Sequence, residues 1–340
     1  MPSRSRVIAA FLAVYVIWGS TYLGIRFAVE TLPPFLMAGV RFVAAGAILY
    51  LWSRRSPAEH GPRAAARWGW AALVGALLLL GGNGAVVWAS HRVPSGVIAL
   101  LIAATPIWMV LLDWVRPGGR RPTRAVTAGL LLGSAGLALL VSARNAAPTG
   151  RVDPLGAAVV LFGSLSWAVG SLVSRSDRLP RSPVLSTGMQ MLTGGALMTV
   201  VGLLLGELRG FDPAAVSARS ALAWLYLMTF GSLVGYTAYI WLLGHVSAAK
   251  AATYAYVNPV VAVLLGWAFA GEPVTAGVLL AAAVIVSAVA LITIGQRRVT
   301  APTADAGPEC HLTPDAAVEA VEAVEAVEAV DADGRATART

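Results

Sequence analysis

"ATPIWMVLLDW" over residues 104–114 and "VNPVVAVLLGW" over residues 257–267 align without a gap at a shift of 153. Pro106 falls on Pro259, the Val-Leu-Leu triplets superimpose, and a tryptophan closes each stretch. The same shift pairs Trp88 with Trp241. At 149, Trp18 falls on Trp167, Gly39 on Gly188 and Gly46 on Gly195, while at 148 "AGLLLGSAG" lies over "AGVLLAAAV". Five segments matching in one order make the chain a duplicated five-segment unit.

The segments are apolar enough to lie in lipid. Of 340 residues, 57% are hydrophobic and 12% charged, with a mean hydropathy of +0.73, a balance that a water-facing globular surface could hardly carry. Runs long enough to span a bilayer occur at about 7–29, 34–52, 70–90, 95–115, 124–142, 155–174, 184–205, 221–243, 248–270 and 275–295. Placing the N-terminus inside collects fifteen arginines on the cytoplasmic side and leaves Arg92, Arg144, Arg151, Arg209 and Arg219 outside, so both termini are expected in the cytoplasm. Because five is odd, the second copy enters the membrane from the opposite face. The expected fold is an all-α integral membrane protein of ten transmembrane helices in two inverted five-helix repeats, over 7–142 and 155–295.

The remaining composition excludes other classes. Nine of the seventeen acids and two of the twenty-five bases follow residue 298, leaving 23 bases against 8 acids before it, a balance of +15. These arginines cluster in short loops between apolar runs, as anionic lipid favours, so membrane lipid is an expected partner and nucleic acid is not. Cys310, the only cysteine, sits in the tail and supports neither a disulfide framework nor a metal site. Arg4 and Arg6 precede an apolar run too long for a cleaved signal peptide, which reads as a retained first helix. In "AVEAVEAVEAVEAV", residues 317–330, a glutamate at every third position walks around a helix and holds no face. The tail over 299–340 is therefore expected to be a disordered, acidic, cytoplasmic extension, with a partner-binding helix as the alternative.

"WGSTYLGIRFAVETLPPFLMAGVRF" at residues 18–42, the prolines of spans four and nine, and "GEP" at 271–273 resemble the drug/metabolite transporter superfamily, within it the EamA family and its YedA-like inner-membrane exporters. The likeness covers about residues 7–295 and leaves out the tail. It implies ten helices, two EamA repeats, a central cavity, and export of small metabolites across a bacterial plasma membrane.

Candidate site residues follow from helical spacing. Tyr15, Trp18, Tyr22 and Arg26 share one face of the first helix, and the shift of 149 sends them to Ser164, Trp167, Ser171 and Arg175. Aromatic and hydroxyl groups on equivalent faces suit a wall that stacks a planar solute and offers it hydrogen bonds, or else ordinary helix packing. Lys250, Tyr254 and Asn258 lie at i, i+4 and i+8 ahead of Pro259, which is expected to free the Ala255 carbonyl and bend span nine, as Pro106 bends span four near Ile102. Lys250 is the sole lysine among 25 bases; it can meet an anion or release a proton, or it snorkels from a helix end. Arg41 lies deep in span two with Gln190 as its repeat partner, placed to meet a substrate carboxylate or a structural counter-ion. Arg26 and Arg175 sit at matching helix ends and read as gates or anchors. Asn83, His91, Asp113, His245 and Glu272 are weaker candidates. Gly129 and Gly133 permit close packing between the fifth helices of the repeats, or a dimer face.

No HExxH, GxSxG or nucleotide-phosphate loop occurs, and Asp113 lacks a second carboxylate, so no enzyme chemistry, cofactor or metal is expected. The expected function is secondary transport by alternating access, exporting amino acids, their derivatives, or aromatic or amphipathic compounds. The alternatives are an exchanger or facilitator without proton coupling, and a membrane receptor or scaffold. A small-molecule substrate is the expected partner, with the chain acting as monomer or homodimer.

Overall fold

The computed structural model describes residues 3–53, 64–89, 92–93, 98, 101–116, 119, 121–144, 153–270 and 275–300. His91, Glu272 and the tail from residue 301 lie outside them, as do the side chains of Tyr22 and Arg26. By contacts the chain divides into Met1–Arg298 and Val299–Thr340, and the architecture below is that of the first unit.

Among the described residues the chain is all-helical. In order the elements are α1 (Arg4–Ala28), α2 (Pro34–Ser53), α3 (Ala64–Gly75), α4 (Gly84–Ala89), α5 (Ala104–Val115), α6 (Arg124–Arg144), α7 (Pro154–Val173), α8 (Pro183–Leu204), α9 (Ala218–Tyr226), α10 (Thr237–His245), α11 (Ala248–Ala251), α12 (Tyr254–Ala270) and α13 (Ala276–Thr300). Starts follow simple capping chemistry. Asp153 accepts from Leu155 N and Gly156 N at the head of α7, and Ser182 from Leu185 N at the head of α8, each followed by a proline that has no N–H to orphan. At α2 the cap comes from far along the chain: Glu207 accepts from Phe35 N at 3.1 Å and Leu36 N at 2.9 Å.

Eight helical spans among the described residues are long and apolar enough to cross a membrane. Two of them are continuous only through π-helical turns, Ala76–Asn83 between α3 and α4 and Leu227–Tyr236 between α9 and α10. The two remaining expected spans are divided. In span nine a turn at Ala252 and Thr253 separates α11 from α12, one to two turns ahead of Pro259, which lies inside the continuing α12. In span four the turn is at Ala103, and Pro106 occupies the first turn of α5, where an N–H has no partner within the helix and its loss breaks no bond of α5. The interruptions thus precede the prolines.

Helices α2 and α8 cross in backbone contact. A Cβ added to Gly39 would lie 2.9 Å from the Gly195 carbonyl, and one on Gly46 would lie 2.9 Å from that of Gly188. Only glycine permits that approach. On the other flank Gly129 meets Ala288 and Ile292 of α13, while Gly133 meets the Tyr256 ring of α12.

Candidate functional site

A cavity of about 130 Å³ lies where the two halves of the chain meet. That is room for a small solute, since one water needs only about 10–15 Å³ on this measure. Its wall takes Trp18, Thr21 and Ile25 from α1, Arg41 and Phe42 from α2, and Asn83, Thr105, Trp167, Tyr236, Tyr254 and Asn258 from later helices. The α1 and α2 contributors run from mid-helix towards the face where α1 ends and α2 begins.

Towards the opposite face, where α1 starts, five aromatic rings close the space. Trp18 lies 5.7 Å from Trp167, 5.1 Å from Tyr239 and 5.1 Å from Tyr254, centroid to centroid, and Tyr236 lies 6.4 Å from Trp167. Hydrogen bonds hold the layer. Trp167 Nε1 donates to the Tyr239 hydroxyl at 3.0 Å, that hydroxyl to Ser171 Oγ at 2.7 Å, and Ser171 back to the Trp167 carbonyl at 2.7 Å, a closed circuit. Trp18 Nε1 donates to the Gly231 carbonyl at 3.1 Å, in the second π-helical stretch.

Each tryptophan is seated on a glycine of the other half. A Cβ on Gly82 would lie 2.6 Å from the Trp167 ring, and one on Gly235 would lie 2.6 Å from Trp18 Nε1. Gly82 and Gly235 are themselves related by the shift of 153, as are Asn83 and Tyr236, which end the two π-helical stretches. π-helical turns recur at functional sites because the extra residue re-aims side chains.

Of the residues picked out by sequence, Trp18, Arg41, Trp167, Tyr254 and Asn258 line the cavity together, joined by the weaker candidate Asn83. Ser164 also lines it, accepting from Trp108 Nε1 at 3.1 Å. Tyr15 lies beyond the aromatic layer: its hydroxyl reaches Thr253 Oγ1, which in turn donates to the Lys250 carbonyl at 2.8 Å across the α11–α12 turn. Asn258, with its amide nitrogen towards them, donates to the carbonyls of Tyr254 at 3.1 Å and Tyr15 at 3.3 Å. Lys250 is on the same side as Tyr15, its ammonium 5.6 Å from the Phe11 ring. Gln190 is fully buried behind Tyr236, whose hydroxyl donates to its Oε1 at 3.1 Å, so the structure does not bring it to the cavity wall. Arg41 is 5% exposed, its guanidinium 4.3 Å from the Phe42 ring centroid and its Nε without a hydrogen-bond partner.

Past α7, Arg175 sits near Asp113 at the end of α5, which pairs with Arg116 at 2.8 Å. Burial pulls the Arg175 guanidinium below its ordinary pKa, and the Asp113 carboxylate opposes that shift. His245 stacks on Trp241 at 4.1 Å, away from the cavity lining. Pro106 and Pro259 flank the wall residues Thr105 and Asn258. Sequence reasoning missed Tyr236, Tyr239 and the two seating glycines; extending the shift of 153 from Trp88 back to Gly82 and Asn83 carries the signal.

A profile of the EamA-like transporter family matches residues 5–142 and again 154–294. An inner membrane transporter, YedA of Escherichia coli (strain K12), itself uncharacterised, is 39% identical over 295 residues, covering 85% of this chain and 91% of that protein. A probable amino-acid metabolite efflux pump of Salmonella typhimurium is 26% identical over 291 residues, 82% of this chain and 91% of that one. A solved crystal structure superposes with a TM-score of 0.70 at 23% identity over 88% of this chain and all of the other, a likeness of fold.

Proposed function

Because the chain belongs to the EamA-like transporter family, as a multi-pass membrane protein built of two EamA repeats, we propose that it is a secondary transporter working by alternating access. It exports small amphipathic metabolites, amino acids, their derivatives or aromatic compounds, across the plasma membrane. Ten helices cross the bilayer with both termini in the cytoplasm, the divided segments forming spans four and nine. The repeats are inverted about an axis in the membrane plane. Supporting this is the reciprocal crossing of α2 and α8: Gly39 meets Gly195 and Gly46 meets Gly188, although the repeat pairs Gly39 with Gly188 and Gly46 with Gly195. A two-fold axis between antiparallel equivalents produces that exchange, as it does the swap of Trp18 onto Gly235 and Trp167 onto Gly82.

The observation that carries the reading is a cavity walled by both repeats and closed on one side by rings from both. In this reading the aromatic layer is the inner gate, and Tyr15 on Thr253 and Arg175 near Asp113 lie behind it. Trp18, Trp167, Tyr254, Arg41 and Asn258 hold the substrate, and Gln190 braces Tyr236. The turns ahead of Pro106 and Pro259 let spans four and nine flex while α2 and α8 stay locked. Among the described lining residues there is no Asp or Glu, which favours an exchanger or facilitator over the acid relay of a proton-coupled pump. Proteoliposomes loaded with a panel of amino acids, acylated amino acids and aromatic acids, assayed with and without a pH gradient, test it. Flux of at least one compound is expected; no flux for any member sinks the transporter reading.

A further inference from the structure

The chemistry of the cavity wall narrows what it carries. Among the described residues that line the cavity Arg41 is the only charged one, and it is more than nine-tenths buried with its Nε unpartnered. Its one close neighbour of complementary character is the Phe42 ring at 4.3 Å, and ring quadrupoles offset only part of the loss of hydration. A guanidinium held this way is compensated fully when a carboxylate lies on it, since the fork of N–H donors matches two carboxylate oxygens. The opposite charge has no such place. An ammonium wants a carboxylate, and among the described residues that line the cavity there is no Asp or Glu to supply one. In an α-amino acid the ammonium is two bonds from the carboxylate, so seating the carboxylate on Arg41 would press the ammonium against the same guanidinium.

Resting on the transport reading above, we propose that the cavity selects monoanions: carboxylates on an aromatic or apolar body whose amino group is absent or acylated. Arg41 takes the carboxylate, and the rings of Trp18, Trp167 and Tyr254 take the body. Zwitterionic amino acids and amines are rejected by the uncompensated cation.

A charge series on one body tests this. Isothermal titration of the full-length purified protein with 3-phenylpropionate, N-acetylphenylalanine, phenylalanine and phenethylamine holds the aromatic ring constant while net charge runs from −1 to +1. The two anions are expected to bind at least about tenfold more tightly than phenylalanine, the worth of one charge-assisted hydrogen-bonded contact, with phenethylamine weakest. Arg41→Gln should bring the four affinities together, and Arg41→Lys should keep the order. Should Arg41→Gln fail to fold, the wild-type series and Arg41→Lys still decide. Phenylalanine or phenethylamine binding as tightly as the anions, no binding of either anion, or an anion preference surviving Arg41→Gln would overturn the proposal. Flux of the same four compounds in proteoliposomes separates the two ideas. Flux without an anion preference removes only this inference, whereas anion binding without flux of any compound removes the transport reading and leaves the anion site standing.

Discussion

Arg41 and Gln190 occupy the same slot in the two repeats, each seven residues into its helix, about 10 Å along the axis from the first turn. Both polar atoms of Gln190 are paired: Tyr236 donates to its oxygen at 3.1 Å, and its amide donates to Ser186 Oγ at 2.9 Å. Arg41 lines the cavity, as does Asn83, the residue that stands where the other repeat has Tyr236, and the Arg41 Nε has no partner. One copy of a duplicated scaffold closes on itself at this point and the other stays open. Duplication supplies two equivalent corners, and divergence at two positions turns one into a brace and the other into a charged wall of the cavity.

The most damaging way to break the comparison is to separate the helices that carry both corners. Gly46→Leu places a side chain where a Cβ already lies 2.7 Å from Leu192 N, and should lower stability by about 3 kcal/mol or more, read as a fallen thermal midpoint or lost monodispersity in detergent. Exchanging the corners comes next. Gln190→Arg buries a cation in a closed pocket and should destabilise by about 3–5 kcal/mol. Arg41→Gln removes an uncompensated charge and should leave stability unchanged or raised by about 1–2 kcal/mol, read as an unchanged or higher thermal midpoint, while flux of anionic substrates falls at least about tenfold. A stability loss in Arg41→Gln equal to that of Gln190→Arg would mean that the corners are alike after all. Smaller effects sharpen the equivalence of the tryptophans. Gly82→Ala and Gly235→Ala should each cost about 1–3 kcal/mol of stability, by nearly equal amounts, because each methyl meets an indole at 2.6 Å. Trp18→Phe, which gives up the bond to Gly231, should cost about 1 kcal/mol. Trp167→Phe should cost a similar amount, since Tyr239 keeps its bond to Ser171.

The duplication, the helical class and part of the cavity wall were legible because they depend on local patterns. Trp18 and Trp167 announce themselves through a fixed shift, Arg41 through its depth in an apolar run, and Tyr254 and Asn258 through helical spacing. Tyr15 and Gln190 share those patterns, yet Tyr15 lies beyond the aromatic layer and Gln190 behind Tyr236, because a helical face several residues wide does not say which of its members a neighbouring helix covers. The π-helical turns were not legible at all. An i→i+5 turn has no compositional signature; what marks the two stretches is tertiary, Trp167 seated on Gly82 and Trp18 on Gly235.

What the amino-acid order determined by itself is a membrane chain made of a five-segment unit used twice, since hydropathy and repeat shifts are properties of residues along a line. What only the tertiary structure decided is which equivalent positions stay equivalent. Gln190 finds Ser186 on its own helix and Tyr236 on another, Arg41 finds the neighbouring Phe42 ring and an open space, and the tertiary part of that difference is Tyr236. Burial and pairing depend on three-dimensional neighbours, so the repeat could predict the two corners but not that one of them would be left charged and open.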